Sequence, residues 1–108
     1  MGLIKSELFT EEQNALAAYA KVLGHPARIA IIQQLFQRQS CICGDLVQEI
    51  GLAQATISQH LKALKEGGLI QGTITGTSVC YCLNPTAWKQ VQALLGNFID
   101  QTCHHSCC

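Results

Sequence analysis

Gly44-Asp45-Leu46-Val47-Gln48-Glu49-Ile50-Gly51-Leu52-Ala53-Gln54-Ala55-Thr56-Ile57-Ser58-Gln59-His60-Leu61-Lys62-Ala63-Leu64-Lys65-Glu66-Gly67-Gly68-Leu69-Ile70 decides the fold of this chain. Leu46, Val47 and Ile50 give a first helix its apolar side, and Gly51 ends it. Ile57, Leu61 and Leu64 stand at i, i+4 and i+7, the stripe of a second helix with one buried face. At about 100° per residue, Ala55, Ser58, Gln59, Lys62 and Glu66 fall on the opposite face. Gly67-Gly68 stops that helix, and Leu69–Ile74 and Thr77–Leu83, joined at Thr75-Gly76, read as a β-hairpin. Two amphipathic helices could be packed core and no more. Their order, with a glycine turn, a glycine stop and a hairpin behind them, predicts a helix-turn-helix followed by a wing.

On that reading the outward face of the second helix enters a major groove, where short polar and basic side chains reach base edges and phosphates. The expected DNA-contacting residues are Gln54, Ala55, Thr56, Ser58, Gln59, His60, Lys62 and Lys65, with Thr75 and Thr77 at the wing tip. Helix capping is weak here, since Ala53 stands where Ser or Thr would stabilise the helix by about 1 kcal/mol more.

The 108 residues suffice for one domain with one core, expected over residues 1–100 with a Cys/His-rich tail at 101–108. Basic and acidic side chains number seven each, so any attraction to phosphate must come from a local strip rather than net charge. Lys21, Arg28 and Arg38 occur without a carboxylate between Gln13 and Gly44, and Lys62 and Lys65 lie on the second helix of the motif. No apolar run approaches the ~20 residues that span a bilayer, and the start lacks a cationic-then-apolar leader. Met1–Ser6 fits the myristoylation pattern only formally, because so short a pattern recurs by chance. A cytoplasmic protein without a membrane partner is expected. In that setting the seven cysteines point to metal binding or redox response rather than a disulfide framework, which the odd count also disfavours.

Upstream, Thr10-Glu11-Glu12-Gln13 is a capping box for a helix carrying Leu16, Tyr19, Ala20 and Leu23. Gly24 ends it and Pro26 opens the next, whose expected buried stripe is Ile29, Ile32, Leu35 and Phe36. In the wing, Val79, Tyr81 and Leu83 alternate with Ser78, Cys80 and Cys82, which predicts an apolar face toward the core and a thiol face away from it. Asn84 caps a last helix opened by Pro85, with Trp88, Val91, Leu94, Leu95 and Phe98 forming a face broad enough for core and partner together. The fold class expected is mainly α, a winged helix-turn-helix of about five helices and a two-stranded wing.

Over about residues 14–100 the chain resembles the ArsR/SmtB family of bacterial metal- and metalloid-responsive repressors. The resemblance is carried by L-G-H-P-A-R-I-A-I-I at 23–32, C-I-C-G-D-L-V at 41–47, T-I-S-Q-H-L-K-A-L-K-E-G-G-L-I at 56–70 and S-V-C-Y-C-L at 78–83. It implies a homodimer joined through the terminal helices, bound to operator DNA until an inducer releases it. Cys41-Ile42-Cys43-Gly44-Asp45-Leu46 is similar to the family's Cys-x-Cys inducer site, with one extra residue before Asp45 and Val47 where the arsenic-type site has a third Cys. The family's zinc site on the last helix aligns with Pro85, Ala87, Phe98 and Gln101, which cannot bind zinc.

Thiolates prefer soft centres. Trivalent arsenic or antimony takes three sulfurs, whereas zinc takes four ligands. Cys41 and Cys43 supply two, and the remainder must come from Cys80 or Cys82 on the wing, or from Cys103, Cys107 or Cys108 in the tail. As(III) or Sb(III) is the favoured inducer, with Cd, Zn and Cu(I) as further candidates and no catalytic cofactor. The competing view of these thiols is that they are small apolar residues or, in the tail, a solvated end that includes His104 and His105. An alternative keeps the DNA-binding fold and makes the cysteines respond to oxidants or reactive sulfur. A third makes the chain a thiol-rich metal-buffering domain. Catalysis is not expected, for there is no phosphate loop, paired carboxylate or nucleophile triad.

Overall fold

The computed structural model describes residues 5–38, 41–42, 49–75 and 78–103. A 3-10 turn at Lys5–Leu8 leads into helices α1 (Glu11–Leu23) and α2 (Pro26–Arg38). Helix α3 (Gln54–Glu66), strands β1 (Ile70–Thr75) and β2 (Ser78–Leu83), and helix α4 (Pro85–Ile99) follow. Most of the expected first helix of the helix-turn-helix lies outside the described residues, but residues 49 and 50 are helical. Gly51 follows with φ +84°, a backbone region that a side chain disfavours and a helix-ending turn requires.

The capping box forms as expected. The Gln13 amide donates to Thr10 Oγ1 at 3.0 Å, and the Thr10 amide donates to Gln13 Oε1 at 2.9 Å. Ala53 is extended and makes no side-chain cap for α3, in keeping with the sequence. At the other end of α3, a Cβ on Gly67 would come within 2.7 Å of Val22 Cγ2, so glycine there lets α1 lie against the helix end.

The core is built by Ile31, Ile32 and Leu35 of α2, Ile57, Leu61 and Leu64 of α3, Leu69 and Ile70 at the wing base, and Ala87 and Val91 of α4, together with Ile42. The stripe of α3 is the one expected. That of α2 is rotated: Ala27, Ile31, Ile32 and Leu35 are buried, whereas Ile29 and Phe36 are exposed. Ala27, Ile31 and Leu35 recur every four residues, and that row is the buried one. In α1 no residue is fully buried. Tyr19, Val22 and Leu23 only border the core, and Ala20 is exposed.

Antiparallel pairing runs from Ile70–Leu83 at the base to Thr75–Ser78 at the tip. The base is fastened to α4. Asn84 caps that helix through Oδ1, accepting from the Thr86 amide at 3.2 Å, while its Nδ2 donates to the Gly68 carbonyl at 3.0 Å. The Asn84 amide and the Trp88 indole both donate to the Leu69 carbonyl.

The wing departs from the expected alternation. Cys80 is buried and Val79 is 42% exposed, while Tyr81, Cys82 and Leu83 are half-buried. Val79 pairs with Ile74 one step from the tip, away from the helices that cover the base. The thiol face is not the open one, because residues 41–42 lie along β2: Ile42 and Tyr81 exchange both backbone hydrogen bonds, each 3.0 Å. No helix among the described residues is long and apolar enough to cross a membrane.

Candidate functional site

Helix α3 divides cleanly. Ile57, His60, Leu61 and Leu64 are buried, and Gln54, Ala55, Ser58, Gln59, Lys62, Lys65 and Glu66 are exposed, with Thr56 between. The expected outward face is therefore present. Lys65 leans back from it: its Nζ lies 3.2 Å from where a Cβ on Gly72 would stand, so the ammonium rests over β1. The side chain of Thr75 and all of Thr77 lie outside the described residues.

His60 is the correction to that face. Only 8% exposed, it turns inward instead of pointing to a groove. Its ring lies 4.3 Å from that of His25 at the turn between α1 and α2. Arg28 Nε donates to His60 Nδ1 at 3.1 Å, and Arg28 Nη1 donates to the Val22 carbonyl at 3.1 Å. The Ala27 amide donates to His25 Nδ1 at 3.0 Å. A guanidinium has no lone pair to offer, so His60 Nδ1 must be the bare acceptor of a neutral ring. Burial lowers the pKa of His60 from its ordinary 6.5, and the nearby His25 and Arg28 lower it further. Arg28 thereby links the end of α1 to the outward-facing helix. Nothing in the spacing foretells this pair, since a histidine and an arginine 32 positions apart show no periodicity.

The thiols converge at the other edge. Cys41, which is exposed, forms a disulfide with half-buried Cys82, their Cα atoms 4.5 Å apart. This separation follows from the register. Ile42 and Tyr81 form a hydrogen-bonded antiparallel pair, and the neighbouring pair, 41 with 82, is the closely spaced kind, with Cα atoms about 4.5 Å apart. Buried Cys80 is also disulfide-bonded. Cys103 is exposed and free. Cys43, Cys107 and Cys108 lie outside the described residues, as do His104 and His105. The sequence named both cysteine pairs as candidates without saying which thiols meet. The missing signal was Ile42 and Tyr81, an apolar residue inside each Cys-x-Cys, able to pair as strands.

Among the described residues no group of three or more His, Cys, Asp or Glu is placed to hold a metal ion. Of the positions aligned with a zinc site on the last helix, Ala87 is in the core and Gln101 Nε2 donates to the Phe98 carbonyl at 3.2 Å. Between α1 and α4 lies an open groove of about 320 Å³ lined by Thr10, Gln13, Leu16, Leu94, Phe98 and Gln101.

With this geometry in view, comparison with known proteins is direct. Residues 25–71 match the model of the bacterial regulatory proteins of the arsR family. A biofilm growth-associated repressor from Xylella fastidiosa is 36% identical over 89 residues, covering 82% of this chain and 77% of that protein. The HTH-type transcriptional repressor SmtB from Mycobacterium tuberculosis is 39% identical over 70 residues, 65% of this chain. The chain spans about half the length of that relative, 51%. Among solved structures, HlyU from Vibrio cholerae superposes with a TM-score of 0.69 over 86% of this chain and 100% of its own, at 24% identity. That likeness bears on the fold, a winged helix-turn-helix.

Proposed function

The chain belongs to the arsR family of bacterial regulatory proteins, and from that premise we propose that it is a transcriptional repressor that holds operator DNA as a homodimer and releases it when a thiophilic inducer reaches its cysteines. Its relatives are transcriptional regulators and not enzymes. The observation that carries the inducer half is the meeting of Cys41 and Cys82 across two paired backbone segments.

DNA contact rests on Gln54, Ala55, Thr56, Ser58, Gln59 and Lys62, with Lys65 and the wing tip at Thr75 and Thr77 adding phosphate contacts; His60 is left out. In a dimer, the two copies of α3 must match half-sites about one helical turn apart or a multiple of it. The second copy covers the open α1–α4 face, where Phe98 and Ile99 are 59% and 71% exposed.

For the inducer, reduced Cys41 and Cys82 present two sulfurs on one face, suited to a soft centre. As(III) or Sb(III) would take its third sulfur from Cys43 or Cys80, or from a tail cysteine (Cys103, Cys107 or Cys108); a four-coordinate Cd or Zn would need one more. Binding at this place fixes residue 41, which leads into the helix-turn-helix, against the wing strand. Ligation thus acts on two DNA-facing parts at once. A coupling of 1–3 kcal/mol weakens operator binding roughly 5–150-fold.

The test is fluorescence anisotropy of labelled DNA from upstream of the protein's own coding region. Reduced protein is titrated with arsenite, cadmium and zinc, as wild type and as Cys41→Ser and Cys82→Ser. Release by arsenite that both variants lose is the expected result. Retention of DNA at stoichiometric thiophile in every case would remove the inducer half, and failure to bind DNA at all would remove the whole. The disulfide also favours a second reading, a repressor released by oxidation itself; hydrogen peroxide alone, added to the same reduced complex, separates the two.

A further inference from the structure

Resting on that thiophile-sensing reading, we infer that Cys41 and Cys82 are also a peroxide-modification site, whose disulfide closes the protein to its inducer. Exposure assigns the roles. Cys41 is exposed and meets the oxidant first; Cys82 is half-buried beneath it and resolves. Cys41 Sγ attacks one oxygen of the hydroperoxide, the O–O bond breaks, and one water leaves as Cys41 becomes a sulfenic acid. Cys82 Sγ then attacks the Cys41 sulfur, the S–O bond breaks, and a second water leaves. Two thiols lose two electrons and two protons, and one hydrogen peroxide becomes two waters.

Geometry makes the second step short. The 41–82 pair sits at the closely spaced position of an antiparallel ladder, and its Cα separation of 4.5 Å lies inside the range that a disulfide spans. Ile42 and Tyr81 set this distance through two backbone hydrogen bonds that do not involve sulfur, so the pair is held together before oxidation as well as after. Ile42 is 3% exposed and belongs to the core, which anchors the segment further.

The consequence follows from electron count. A soft centre binds thiolates, and a sulfur committed to a disulfide is no longer one. The same two sulfurs hold either each other or an inducer. Oxidised protein is therefore refractory to metalloid, whatever its affinity for DNA, and reduction restores the response.

The full-length protein, reduced and freed of reductant, is split between buffer and one equivalent of hydrogen peroxide, and each half then receives arsenite. Bound arsenic is counted after desalting, and a non-reducing tryptic digest is sequenced by tandem mass spectrometry. Cleavage after Arg38, Lys62, Lys65 and Lys89 puts Cys41 in peptide 39–62, Cys82 in peptide 66–89 and the tail in 90–108. The expected result is a Cys41–Cys82 cross-link joining the first two peptides and loss of the bound arsenic, with arsenic uptake regained after dithiothreitol. A variant, Cys82→Ser, should stop at a Cys41 sulfenic acid that a dimedone probe traps. Cross-linking of Cys41 only to the tail peptide, no disulfide at Cys41, or full arsenic uptake by the cross-linked protein would each overturn the inference. Absence of arsenic from the reduced sample would overturn the metalloid-sensing reading, and the competition with it; the cross-link, assigned by fragment ions that separate Cys41 from Cys43 and Cys82 from Cys80, would then decide the modification site by itself.

Discussion

At the base of the wing, the Leu69 carbonyl accepts from both the Asn84 amide and the Trp88 indole, and Leu69 and Ile70 are sealed in the core. On the opposite side, α1 buries no residue fully, and its side-chain hydrogen bond to α4 runs from the Tyr19 hydroxyl to Gln90 Oε1 at 2.7 Å. The difference separates what one chain completes from what it leaves open. Helices α2 and α3, the base of the wing and the Ala87–Val91 side of α4 close one core. The end of α4 keeps Phe98 and Ile99 in solvent, and Leu8 and Phe9 ahead of α1 are exposed as well, apolar surface of the sort that marks an interaction site.

The largest effect should come from cutting into the closed region. Leu64 is fully buried in the last turn of α3, and Leu64→Ala should cost about 2–5 kcal/mol, read as a lower urea midpoint. Phe98→Ser is the matched change on the open face. At low protein concentration, where monomer prevails, it should shift stability by only about 0.5 kcal/mol. In sedimentation velocity the same variant should stay monomeric at concentrations where wild type dimerises. A large stability loss in dilute Phe98→Ser would erase the contrast, since it would mean that the end of α4 carrying Phe98 is also part of a single chain's core.

A smaller, pH-dependent effect is expected where the two regions join. Arg28 ties the Val22 carbonyl of α1 to His60 of α3, and it can do so only while His60 is neutral. The folded pKa of His60 lies below 6.5, depressed first by burial and then by His25 and Arg28. The sign follows from a neutral ring being preferred in the folded state. This contribution to stability is whole above the unfolded value of 6.5 and drains away as pH falls through the lower folded value. Acidifying from neutral to about pH 5 should therefore lower the denaturation midpoint. In His60→Gln, which keeps an acceptor without a titrating ring, the drop should shrink. An equal acid sensitivity in both proteins would place the titrating group elsewhere.

How much of this was legible in the sequence depends on the range of the interaction. The α3 stripe, the capping box and the Asn84 cap are local patterns of three to seven residues, and they formed as expected. The α2 stripe was harder. Five of the residues between Ala27 and Phe36 are aliphatic, so periodicity could not choose between Ile29 and Ile31, and packing into the shared core chose Ile31. His60 and the thiol pair depended on contacts across 32 and 41 positions, which leave no mark on spacing. The chemistry of each group was readable from its type; its partner was not.

The smallest expected effect concerns how the two regions hold their helices. Helix α1, bordering the core on one side only, carries a full capping box, whereas α3, with four buried residues, starts at Ala53 with no side-chain cap. Packing appears in the one and capping in the other because either can offset the cost of ordering a helix start. Ala53 already has the extended backbone of an N-cap, φ −61° and ψ 148°, so Ala53→Ser needs no rearrangement to reach the Ala55 or Thr56 amide. A gain of about 1 kcal/mol is expected from the new hydrogen bond. Thr10→Ala should lose about the same from α1. If packing already fixes the first turn of α3, Ala53→Ser should leave amide hydrogen exchange at Ile57 and Leu61 nearly unchanged relative to the global gain, while Thr10→Ala should speed exchange through the first turns of α1. Equal local changes at both helices would mean that α3 frays as readily as α1, and the contrast between a closed and an open region would then stop short of the helix that faces DNA.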